Sequence, residues 1–192
     1  MNPIARIVDI ILSCIGILLT LPLMIFIAAL LFIETKSPLF LQTRIGKNKK
    51  SFKIAKFRTM RVATPSVATH LVSSEALTHS GKYLRKWKLD ELPQFFNVLI
   101  GDMSFVGPRP NLPNQSLLIE ERDKRKIYQV KPGITGLAQI KDIDMASPKL
   151  LAEHDEQMIH QFSMKMYFLI ILHTALGKGM GDRISNKNSL LV

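Results

Sequence analysis

Cysteine is nearly missing: Cys14 stands alone, so no disulfide forms within the sequence, and a reducing compartment is compatible with it. Metal-ligand spacing is missing too. His70, His79, His154, His160 and His173 show no HxxxH partner and no CxxC exists, so they are read as surface or core residues and zinc is not expected. Acids are scarce beside bases, 15 against 26, which gives a net charge of +11 and a pI of about 9.9. Such a surface favours anionic partners, whether nucleic acid, acidic headgroups or phosphorylated substrates, and charge alone does not choose among them. Charge is altogether lacking from residues 10–33, where Ser13 and Thr20 are the only hydroxyls and Pro22 lies near the middle. That run exceeds the roughly 20 residues that cross a bilayer. It is too long for a signal peptide and no small-residue cleavage site follows, so it is expected to be retained. At 192 residues the chain has room for one modest domain beside this segment.

What is present concentrates in YLRKWKLDELPQFFNVLIGDMSFVGPRP, residues 83–110, where acids, bases and fixed backbone points are packed most densely. Leu92, Phe95, Phe96 and Leu99 fall at i, i+3, i+4 and i+7, predicting a helix stopped by Gly101 with Asp90 and Glu91 at its N-terminus. Helix capping explains two acids there as well as chemistry does, with Pro93 tolerated in the first turn. Their company favours chemistry: Arg85, Lys86 and Lys88 precede them, and Gly107-Pro108-Arg109-Pro110 follows. Upstream, Phe52, Ile54, Lys56 and Arg58 share one side of an extended segment, which by itself also describes a solvated cationic strand edge.

These residues resemble the bacterial sugar transferases, the monotopic phosphoglycosyl transferases. The matching segments are KFRTM (56–60), LR (84–85), LDELPQ (89–94), NVLIGDMSFVGPRP (97–110) and KPGITGLAQI (131–140). With the apolar N-terminus and the RIG after Gln42, they cover nearly the whole chain in the family's order. The resemblance implies transfer of a sugar-1-phosphate from a UDP-sugar to polyprenyl (undecaprenyl) phosphate at the cytoplasmic face of the bacterial inner membrane, releasing UMP, with Mg²⁺ as cofactor. Asp90 would be the nucleophile, forming an aspartyl-phosphosugar, and Glu91 the metal ligand. Arg109, Lys56, Arg58 and Arg85 would bind phosphate, and Asp155 aligns with a family acid near the active site. Direct displacement in a ternary complex is the rival route. From another class, a membrane-tethered basic module would bind without catalysis, although adjacent acids among the bases speak against it. Expected partners are UDP-sugar, polyprenyl phosphate and membrane lipid, not nucleic acid, and a homo-oligomer is left open.

The fold implied is α+β, mainly helical with a few short strands. Residues 1–36 would form a re-entrant membrane helix kinked at Pro22, and residues 37–192 the catalytic domain. Lys36, Arg44, Lys47, Lys49 and Lys50 place that domain in the cytoplasm by the positive-inside rule, while Arg6 and Asp9 offset each other. Residues 61–80 read as a loop, 112–126 as a solvent-facing helix without a chemical role, and 150–176 as one helix ending in a membrane-surface or core-packing run. From Gly177 onward a loosely ordered tail is expected. Many relatives carry a glycine-arginine pair where Asp142 and Ile143 stand, so contacts that depend on that arginine do not carry over.

Overall fold

The computed structural model describes residues 3–62, 64 and 76–179. The apolar run forms helix α1, Pro3–Thr35, which continues through Pro22 instead of breaking there. Its buried residues fall into two groups at helical spacing, Ala5, Asp9 and Ser13 near the start and Met24, Ile27 and Leu31 near the end. The first group packs beside β3 and α7, the second on Phe57 and Leu84. Between them Leu18 and Leu19 are each 74% exposed.

Strands β1 (Leu39–Ile45) and β2 (Ser51–Phe57) pair antiparallel, with Gln42 opposite Ile54. Asn48 and Lys49 take positive φ in the turn between them. Helix α2, His79–Lys86, starts from Thr78, whose hydroxyl accepts from the Gly81 amide. The loop expected over 61–80 therefore ends two residues early, and its positions 63 and 65–75 lie outside the described residues, as does the tail from 180.

A single turn of 3₁₀ helix, Leu89–Glu91, precedes helix α3, Gln94–Ile100. The helix expected to open at Asp90 thus opens later, and Asp90 is not its cap. Gly101 ends α3 as expected, at φ +97°. The fully buried residues of α3 are Gln94, Asn97 and Val98, while Leu92, Phe95 and Leu99 of the apolar stripe are half-buried. That stripe turns to α1: a Cβ placed on Gly16 would stand 2.8 Å from the Phe95 ring, so the missing side chain is what lets the ring approach. Asn97 meanwhile extends the sheet edge, accepting from the Ala55 amide at 2.9 Å and donating to the Lys53 carbonyl at 2.8 Å.

Strand β3 (Ser104–Val106) pairs in parallel with β4 (Gly133–Thr135), Ser104 beside Gly133 and Val106 beside Thr135. The backbones run so close that a Cβ on Gly133 would collide with the Gly107 nitrogen. The GIT of KPGITG is therefore the partner strand of the SFV that leads into GPRP. Helices α4 (Ser116–Lys124), α5 (Leu137–Ile140), α6 (Pro148–His160) and α7 (Met164–Ala175) are the remaining helices longer than one turn of 3₁₀ among the described residues. The expected long C-terminal helix is two helices, because the Ser163 hydroxyl accepts from the Met166 amide and starts α7 afresh. The result is mostly helical with two short strand pairs among the described residues, in the α+β class.

Candidate active site

The 3₁₀ turn packs between α2 and β2. Lys88 enters it in left-handed conformation, φ 53°. Asp90 in the turn is only 5% exposed. Beside it, Glu91 receives the Lys56 ammonium at 2.7 Å and the Arg109 guanidinium at 3.0 Å, both on Oε1. Three segments far apart in sequence, β2, the turn and GPRP, thus converge on one carboxylate. Burial alone would raise the Glu91 carboxyl, but Lys56, Arg109 and, least of the three, Lys88 outweigh it and hold it well below the usual carboxylate range. Lys88 also donates to the Gly179 carbonyl at 2.6 Å, tying the chain after α7 to the entrance of the turn.

Arg109 projects from a backbone gripped at four successive carbonyls. The Gly133 amide donates to Pro108, Arg122 Nη1 to Arg109, Arg44 Nη1 to Pro110 and the Ile45 amide to Asn111, at 2.8–3.0 Å. The flanking prolines fix φ as well, so the fork of Arg109 is aimed before any phosphate arrives.

The remaining basic residues diverge. Arg85 donates through Nε to Thr59 Oγ1 at 2.8 Å, and its buried Nη1 has no hydrogen-bond partner among the described residues. An orphaned guanidinium donor of this kind suits an incoming anion. Arg58 turns away, donating to the Ser37 and Leu39 carbonyls and lying over the Phe40 ring, where it fastens the exit of α1 to β1. It shares a strand side with Lys56 but lies one residue past the end of β2, where the pleat no longer aims it. Asp155 also stands back from Glu91: its Oδ2 takes Arg122 Nη2 at 2.7 Å and Nε at 3.0 Å, with both residues buried. Arg122 had no role in the sequence reading. The signal for it was present, since Leu118 and Arg122 at i, i+4 share the one buried face of α4.

The division between Lys56 and Arg58 can be checked. Lys56→Met is expected to lower turnover about 10- to 100-fold. Glu91, relieved of a cation, then protonates at higher pH, so the acid limb of the pH–rate profile moves up; a depressed carboxyl loses its charge only as pH falls through its folded value. Arg58→Ala should leave that limb in place, and an equal movement in both variants would contradict the assignment.

The model of the bacterial sugar transferase family matches residues 1–178. A UDP-N-acetylgalactosamine-undecaprenyl-phosphate N-acetylgalactosaminephosphotransferase of Aeromonas hydrophila is 38% identical over 182 residues, 89% of this chain and 42% of that protein. A UDP-glucose:undecaprenyl-phosphate glucose-1-phosphate transferase of Klebsiella pneumoniae is 43% identical over 142 residues, 70% of this chain and 30% of its own. An exopolysaccharide production protein of Rhizobium leguminosarum is 34% identical over 187 residues, 90% of this chain and 94% of its own. The chain therefore spans less than half the length of the first two and nearly all of the third.

Proposed function

Because the chain belongs to the bacterial sugar transferase family, we propose that it transfers a sugar-1-phosphate from a UDP-sugar to polyprenyl phosphate and releases UMP. The observation carrying this reading is Glu91, held by Lys56 and Arg109 directly beside the buried Asp90. Such a site offers one acid to react and cations to receive phosphoryl charge. An Asp90 oxygen attacks the phosphorus bearing the sugar. The bond from that phosphorus to the bridging oxygen breaks, UMP leaves, and a mixed carboxylic-phosphoric anhydride remains on Asp90. A polyprenyl phosphate oxygen then attacks the same phosphorus, the anhydride bond breaks, and Asp90 returns as carboxylate. Arg109 and the orphaned donor of Arg85 hold phosphoryl oxygens, while Lys56 keeps Glu91 ionised.

Mg²⁺ fits this donor set. No three His, Cys, Asp or Glu side chains cluster among the described residues, and Mg²⁺ asks for none, being satisfied by one or two carboxylates with substrate oxygens and water. Glu91, whose Oε1 takes both cations, would hold the ion, with Asp90 adjacent. The ion would supply charge neutralisation between the anionic reactants.

Membrane placement follows from the same reading. Helix α1 is apolar and long enough to cross a bilayer, yet both of its ends dock on one small domain. A straight crossing would strip one end from its seat, so the two ends belong on the same, cytoplasmic face. The middle of α1, exposed around Leu18 and Leu19 while Gly16 packs on Phe95, faces the lipid as a re-entrant segment does. Phe168, Leu169 and Leu172, exposed along α7, and Leu176 just past its end extend the apolar surface. Polyprenyl phosphate is thereby met at the bilayer boundary. The full chain in membrane fraction, given Mg²⁺, undecaprenyl phosphate and UDP-sugars including UDP-glucose and UDP-N-acetylgalactosamine, should release UMP with at least one of them in a lipid-dependent manner. UMP release from none of a broad panel would overturn the proposal.

A further inference from the structure

Arg122 is 1% exposed, among the most completely buried side chains of the described chain, and it is a charged one. Burying a guanidinium costs several kcal/mol unless it is paired and its donors are used. Here they are used in two directions. Nε and Nη2 meet Asp155 Oδ2 at 3.0 and 2.7 Å, while Nη1 reaches the Arg109 carbonyl at 2.8 Å and Asn111 Oδ1 at 3.0 Å. The Tyr128 hydroxyl donates to that same Asn111 oxygen at 3.1 Å. One rigid fork thus joins an acid of α6 to the backbone of the residue whose side chain holds Glu91.

We propose that Arg122, anchored by Asp155, is a positioning residue for the reaction: it fixes the backbone between Pro108 and Pro110 so that the Arg109 fork meets the transferring phosphoryl group in register. Three features separate this from mere stabilisation. An apolar pair of similar volume would serve packing at least as well, since buried ion pairs seldom add net stability. The contact falls on the carbonyl of Arg109 itself, between two residues of fixed φ, where a displacement passes directly to the side chain. Finally, Arg44 and Ile45 hold the next two carbonyls from the opposite strand pair, so removing Arg122 leaves the loop attached but released on one side. A misplacement of about 1 Å at a phosphate clamp costs on the order of a hundredfold in rate.

The inference rests on the proposed reaction, with Arg109 contacting phosphoryl oxygens. Its test is a double-mutant cycle on the full chain in lipid, scored by UMP release. Arg122→Lys keeps the charge for Asp155 but cannot span to the Arg109 carbonyl with the same fork. It should lower kcat tenfold or more, roughly, and change KM for UDP-sugar less than about threefold. In an Arg109→Lys background the same change should add almost nothing, because the group it positions is gone. A full multiplicative loss in that background overturns the proposal, as does wild-type kcat in Arg122→Lys. Should that variant fold poorly, Arg122→Met with Asp155→Leu removes the pair together. It is expected to melt near wild type yet show the same loss of kcat, and normal turnover would again be contrary. Exchange of the Gly133 and Ile45 amides, which hold the Pro108 and Asn111 carbonyls on either side of Arg109, reads the positioning without turnover. It should rise in Arg122→Lys, and unchanged exchange counts against the proposal whatever the substrate proves to be. Failure of the proposed reaction is distinct, since it shows as absent UMP release in the wild type.

Discussion

Asp90→Asn is expected to reduce UMP release roughly a thousandfold or more while leaving the protein in the membrane and folded. The substitution changes one atom in a side chain that is already buried, so packing is nearly preserved. What disappears is the electron pair that forms the bond to phosphorus: an amide oxygen does not yield a stable anhydride. Glu91→Gln should be comparably damaging for a different reason. Lys56 and Arg109 would then face a neutral amide, two cations left in a half-buried site without their shared counter-ion. Melting temperature and sedimentation with membranes, measured beside turnover, separate the two cases. Asp90→Asn should leave both intact, whereas Glu91→Gln should lower the melting temperature. A non-catalytic basic module predicts almost no effect of Asp90→Asn on any activity, with binding set by the number of cationic contacts and falling with salt. Retention of a tenth or more of wild-type UMP release by Asp90→Asn would remove this residue from the chemistry.

The second large effect concerns stability. Asp9 is fully buried, and its Oδ1 accepts from Ser104 Oγ and the Phe105 amide at 3.0 Å and from the Tyr167 hydroxyl at 2.6 Å. It pins the start of α1 to β3 and α7 at once. Nearby, Arg6 donates to the Val98 and Leu99 carbonyls at the end of α3. Asp9→Ala strands three donors in a dry interface, each worth about 1 kcal/mol or more, so a loss of about 3 kcal/mol is expected. For a chain of this size that amounts to a fall in melting temperature of roughly 6–12 °C. Asp9→Asn should lose far less, since the amide keeps an oxygen for the donors and places its nitrogen where Oδ2 already has no partner. Thermal unfolding in detergent measures both, and equal melting of Asp9→Ala and wild type would show that the first turns of α1 are not held by this carboxylate.

Part of the grouping at the candidate site could be read from the sequence, for reasons that explain what could not. Lys56, Glu91 and Arg109 were expected together, and they meet, because each is aimed by a short, well-marked element: strand alternation for Lys56, a turn for Glu91, two prolines for Arg109. Arg58 obeyed the same alternation on paper but falls past the strand end and serves the α1–β1 junction. Helical periodicity found α3 and its apolar face but not the polar face that is buried with it: the apolar stripe packs on α1, and an asparagine completes the sheet edge. Periodicity reports that two faces differ, not which of two neighbours each one meets. Asp9 and Arg6 looked like charges cancelling at a membrane boundary. Their seats on β3, α7 and α3 depend on contacts across more than ninety residues, which local pattern does not contain. Arg122 was hidden in a run of mixed charge, where only its spacing from Leu118 set it apart.

The covalent step is tested most directly by mixing the purified full chain with Mg²⁺ and an accepted UDP-sugar, without polyprenyl phosphate, and quenching within milliseconds for intact-mass and peptide analysis. A phosphosugar adduct should appear on the peptide containing Asp90, in step with one burst of UMP, and vanish when undecaprenyl phosphate is added. Enzyme that turns over with both substrates yet shows neither adduct nor burst with UDP-sugar alone would contradict it and point to direct displacement.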